Sequence, residues 1–308
     1  MATKKTTMAK GCNIRSRELL PRGGHRAPRS LEQIEVAALS GFDYSAIQVG
    51  VVGNITVAYD PSLGAPGLAL AQQLLGAASG PYNDMQVFFG INGGPVEVIV
   101  APLSGNNDGS GGAYHYGCDF VSRGVLYLDA TFASTTANPL SLEVGLYVAE
   151  LSECFMGAQN QGWVCNASNG EGLSRFCAEY ETPVGTLNGF ITGPDWASAG
   201  FPDWVTQTEP TDTDGVSIGC SIVYLYWMLS LGYTIPEIVQ AGGSTLSANY
   251  QTLTCMTTAY QDLIAAVQGL SVTTDNPFVG SLQIFYRGGD NAVYSREYRP
   301  VAGRTSRA

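Results

Sequence analysis

Glu150, Glu153 and Glu171 stand on two neighbouring segments, Ala149-Glu150-Leu151-Ser152-Glu153 and Asn169-Gly170-Glu171-Gly172-Leu173-Ser174-Arg175. On a helix, positions 149 and 153 lie one turn apart on one face, with position 150 beside them. At that spacing two side chains can grip a metal ion while a glutamate between them takes a proton from the bound water. Glu171, 18 residues past Glu153, would complete such a ligand set from a following helix. The residue types fit this chemistry only in part. Ala149 has no ligand atom, and Glu153 offers oxygen where a nitrogen ligand is usual. Glu150 keeps the position of the general base. Arg175 follows Glu171 by one helical turn and is the natural charge partner of the carboxylates.

The charge distribution isolates that arginine. Eight of the fifteen basic residues fall in the first thirty positions and five lie from Arg287 onward. Between residues 31 and 286 only Arg123 and Arg175 face 23 Asp and Glu, a formal net charge of −21. Such a surface repels phosphates, which excludes a nucleic-acid role for the body and favours cations or basic partners. A buried network of Glu150, Glu153, Glu171 and Arg175 is one reading of the motif. A solvated Glu171–Arg175 pair worth about 0.3–0.5 kcal/mol is the other.

The elements that must position these residues follow from hydrophobic periodicity. Residues 46–59 are β-branched and partly alternating, a strand or hairpin bent at Gly53-Asn54. Residues 67–79 have helical spacing, 85–89 and 96–103 read as strands around Asn92-Gly93-Gly94, and 124–130 as another strand. A long helix over 140–156 carries the Glu150 motif, and a second over 171–180 carries Glu171 and Arg175. Residues 217–231, 235–241 and 257–267 are further helices. Strands first and helices later make an α+β fold. No run approaches the length needed to span a membrane.

Seven scattered cysteines include no close pair of the metal-binding kind, so thiolate ligation is not expected. Cys154, Cys165 and Cys177 bracket the motif and either include a disulfide or are buried thiols. The histidines, His25 and His115, lack an i,i+4 partner and read as structural or solvated. Residues 1–30 are basic and lack the apolar core of a secretory signal, so they read as a disordered arm. The sequons at Asn54 and Asn166 and the scarcity of lysine suggest an exported protein, with the cytoplasm as the default alternative.

The two-helix motif resembles the H-E-x-x-H and N-E-x-x-S-D elements of gluzincins, and the segments 219–227 and 245–254 resemble helices of plant basic-secretory-type peptidases. The resemblance covers about residues 31–272. It implies a zincin-like domain: a twisted sheet with one backing helix, an edge strand beside the cleft, the active-site helix, a third-ligand helix and a helical remainder. It places ligands at Ala149, Glu153 and Glu171 and the general base at Glu150. With Ala149 in a ligand position, zinc and peptidase activity are not expected. An ion at Glu153 and Glu171 would be calcium, magnesium or manganese. Residues 282–298 resemble one hairpin of a lectin-like β-propeller repeat, within a terminal segment 273–308. The expected function is a metallopeptidase-like binding or structural module with an unidentified protein or carbohydrate partner. The alternative is a hydrolase using Glu150 as general base, with a carboxylate-held metal or a glycosidase-like carboxylate pair.

Overall fold

The computed structural model describes residues 46–103, 112–116, 118–121, 124–131 and 138–278, together with the backbone of 283–287 and 293–297. The basic arm 1–30, His25, Arg123 and the glycine-rich stretch 105–111 lie outside the described residues. The fold is α+β, with a sheet and two helices in the first half, helices through most of the second and a strand pair at the end.

Five strands form one mixed sheet in the order β1-β2-β3-β5-β4: β1 (Ile47–Val52), β2 (Ile55–Tyr59), β3 (Val96–Ala101), β4 (Ala113–Tyr116) and β5 (Gly124–Asp129). β2, β3 and β5 run parallel, and the two edge strands are antiparallel to their neighbours. Gly53-Asn54 makes the β1–β2 turn, as the sequence suggests. α1 (Gly64–Ala77) covers β1 to β3 with Leu70, Ala71 and Leu74 buried beneath it. The expected strand over 85–89 is instead the end of α2 (Ser79–Phe89). Its buried residues are Tyr82, Met85, Phe88 and Phe89, a helical spacing that begins upstream of the apolar run.

The motif helix α3 (Pro139–Gln159) lies against β5 and β4. Pro139 occupies its first turn, and Asn160 ends it in the left-handed conformation at φ 51°. α4 (Ser168–Glu181) turns back onto α3, and α5 (Gly193–Ser198) leads into α6 (Gly215–Ser230). α6 is apolar on all sides and buried from Ser217 to Leu229, the position of a central helix. It crosses close to α4 because Gly172 leaves no room for a side chain: a Cβ there would collide with Ser221. α7 (Ile235–Ala241), α8 (Leu246–Thr254) and α9 (Ala259–Val267) complete the body. α7 starts at a capping box made by Thr234 and Glu237. The buried body continues through Asp275 and Phe278. A separate antiparallel pair follows, β6 (Gln283–Arg287) and β7 (Val293–Glu297), with Gln283 opposite Glu297. No helix among the described residues is long and apolar enough to cross a membrane.

Candidate functional site

β4 is a four-residue edge strand whose His115 pairs with Leu126 of β5. It runs beside α3, and this brings the imidazole onto the Glu150 motif. His115 Nδ1 lies 2.8 Å from Glu150 Oε2, and Nε2 lies 3.6 Å from Glu153 Oε2. The ring is 7% exposed, and the side chains of Glu153 and Glu150 are 7% and 14% exposed. Ala149 is partly buried against the core and contributes its carbonyl to the Ser152 hydroxyl.

From α4, Glu171 is close enough to Glu153 to act on its ionisation by charge and by hydrogen bonding. Arg175 Nε donates to Glu171 Oε1 at 2.7 Å and Nη1 donates to the Phe190 carbonyl at 2.9 Å. The four charged residues singled out in the sequence therefore belong to one cluster between α3 and α4. Burial pushes the Glu153 carboxyl well above its ordinary range, reinforced by the charges of Glu171 and Glu150. Burial also raises Glu150, and the His115 hydrogen bond and charge oppose that rise.

A zinc site of the histidine–histidine–glutamate type does not fit here. Ala149 presents a methyl group, Glu153 faces an imidazole, and Glu171 is already bound by a guanidinium. A hard cation on Glu153 and Glu171 would compete with Arg175 for the same oxygens.

Sequence reasoning placed Cys165 beside the motif as one end of a possible disulfide, but missed His115 and the partner cysteine, Cys118. Cys118 and Cys165 form a disulfide with Cα atoms 6.2 Å apart, while Cys154 and Cys177 are buried free thiols. Cys165 Sγ lies 3.7 Å from His115 Nε2. The Asn166 amide reaches both sulfurs, at 2.9 Å to Cys165 and 3.3 Å to Cys118. The loop carrying Cys118 rests directly on α3 because residue 157 is glycine: a Cβ would run into the Cys118 carbonyl. The signal available in the sequence was the spacing of His115 and Cys118, two metal-competent donors three residues apart.

Arg175 is the site's cation from the helices, and its removal tests the cluster. Arg175→Ala leaves Glu171 without its ion-pair partner and takes a donor from the Phe190 carbonyl. We expect a loss of about 2–3 kcal/mol in urea denaturation, below the cost of breaking a fully buried pair because both side chains are about one-fifth exposed. Arg175→Lys should recover only part, since an ammonium does not reproduce the fork that spans Glu171 and Phe190. A loss below about 0.5 kcal/mol would identify an ordinary surface pair.

The sequence matches no known protein-family model, and it matches no curated protein.

Proposed function

We propose that this chain is a metallopeptidase-like domain without zinc peptidase activity that serves as a binding or structural module. The observation that carries this reading is the His115 imidazole seated against Glu150 and Glu153. A general-base glutamate must face a bound water, and here its carboxylate engages an imidazole of the same chain. The antiparallel edge strand beside the motif helix, and the second helix bearing Glu171, support the zincin-like part of the reading. The acidic body suits a basic protein surface, and the terminal hairpin suits a carbohydrate or protein contact. None of this chemistry calls for catalysis.

The raised carboxyl of Glu153 favours one alternative, a hydrolase in which paired glutamates divide the acid and base roles. One assay addresses both readings. The purified protein is incubated with casein, peptide libraries and glycoside substrates, with and without zinc, calcium, magnesium or manganese. No turnover is expected. Peptide cleavage abolished by Glu150→Gln would overturn the proposal, and glycoside cleavage abolished by Glu150→Gln or Glu153→Gln would establish the alternative.

A further inference from the structure

We propose that His115, Cys118 and Cys165 supply three ligands to zinc or a similar borderline-soft divalent cation when the disulfide is reduced, with water in the fourth position. This site differs from the one expected at Ala149, Glu153 and Glu171, and it does not rest on the zincin-like reading. The imidazole and the two sulfurs already stand together, with one donor atom from each lying within 4.8 Å of the others.

The distances suit a tetrahedral ion. Zinc takes sulfur at about 2.3 Å and imidazole nitrogen at about 2.0–2.1 Å, so the S···N edge of a tetrahedron is about 3.6 Å. Cys165 Sγ and His115 Nε2 are 3.7 Å apart. Glu153 Oε2, 3.6 Å from His115 Nε2, stands beside the site as an acceptor for a water in the fourth position. The sulfurs must separate to about 3.8 Å, which follows from opening their bond.

The surroundings are those of a ligand shell. His115 Nδ1 meets the Glu150 carboxylate at 2.8 Å, an arrangement that fixes the tautomer with Nε2 free to coordinate. The Asn166 amide reaches both sulfurs, where it would stabilise thiolate charge. Two thiolates supply two negative charges to a doubly charged ion. In this site Glu150 is a positioning residue, and its place beside His115 has a purpose other than peptide hydrolysis.

The chemistry balances simply. A thiol or phosphine reductant supplies two electrons, two protons enter, and the Cys118–Cys165 bond becomes two thiols. Each thiol then loses its proton as its sulfur bonds the ion. Zinc bound this way closes the same loop that the disulfide closes.

The test uses the full chain reduced with a phosphine under anaerobic conditions, with cobalt(II) as probe. We expect about one equivalent to produce a thiolate-to-cobalt charge-transfer band and the strong visible bands of tetrahedral cobalt, both displaced by zinc. Cys118→Ser with Cys165→Ser should abolish the charge-transfer band, and Cys154→Ala should leave it. Glu150→Gln should keep the band and weaken affinity about 10–100-fold. On the unsubstituted chain, zinc should protect Cys118 and Cys165 from alkylation, read by mass spectrometry, and a chelator should remove the protection. The proposal is overturned if the reduced, folded protein shows neither band nor protection, or if the band survives loss of both cysteines. It is also overturned if the disulfide cannot be reduced without loss of the far-ultraviolet dichroism of the fold.

Discussion

Phe155→Ala should lower the stability of the protein by about 3–5 kcal/mol, a large share of the roughly 5–15 kcal/mol typical of a folded domain. Phe155 is fully buried on α3, two residues past Glu153. It stacks on Phe89 at 5.6 Å and meets Tyr82 and Phe120 edge to face at 5.7 and 4.9 Å. The truncation therefore opens a cavity shared by α2, α3 and the loop after Cys118. Phe120 loses the ring on which it rests, so the Cys118 end of the site should loosen as well. Urea denaturation measures the first effect, and faster reduction of the disulfide by dithiothreitol measures the second. A loss below about 1 kcal/mol would show that the cluster repacks around the gap. Leu270→Ala, at a residue 40% exposed, is the control and should cost little.

Stability should also fall as pH rises from about 4.5 to about 8. Burial raises the carboxyls of Glu179 and Glu181 from 4.5 to about 8, helped by Asp275 beside Glu179 and Asp84 beside Glu181. Both groups bind their protons more tightly in the folded chain than in the unfolded chain. Their contribution is complete below about 4.5 and is lost as pH rises through about 8. At about 1.36 kcal/mol per unit, each shift corresponds to at most about 5 kcal/mol, which partial contact with water reduces to the order of 2–3. Burial moves Glu143, Glu150 and Glu153 in the same direction. The double variant Glu179→Gln, Glu181→Gln should flatten the profile of melting temperature against pH and exceed the parent in stability above pH 8. The Tyr226 hydroxyl, 2.6 Å from Glu179, can still donate to the amide oxygen. A parent whose stability is constant or rises over this range would contradict the assignment.

The sequence made the long elements legible because their periodicity repeats over several turns. Residues 140–156 lie within α3, 235–241 coincide with α7, and the bend at Gly53-Asn54 is the first hairpin turn. The cluster of Glu150, Glu153, Glu171 and Arg175 was legible for the same reason, since two consecutive helices folded on each other bring near neighbours together. Residues 85–89 misled because five apolar residues carry too little period to separate strand from helix. β4 was hidden because it is four residues long and follows a glycine-rich stretch. His115 therefore looked isolated, although its partner Glu150 lies 35 residues on, across the sheet edge. The pairing of Cys118 with Cys165 was equally out of reach, because spacing alone does not choose among seven cysteines.

The Cys118–Cys165 link spans 47 residues and encloses β5 and the whole of α3. Its largest effect is on the chain before it folds. Closing a loop of that length removes about 4 kcal/mol of conformational freedom from the unfolded ensemble. The residues at its two ends, the strand bearing His115 and the start of α4, are thereby tethered near each other while α3 is still unformed. The oxidised chain begins folding with the two flanks of its site already within reach, and α3, with Glu150 and Glu153, has only to form between them.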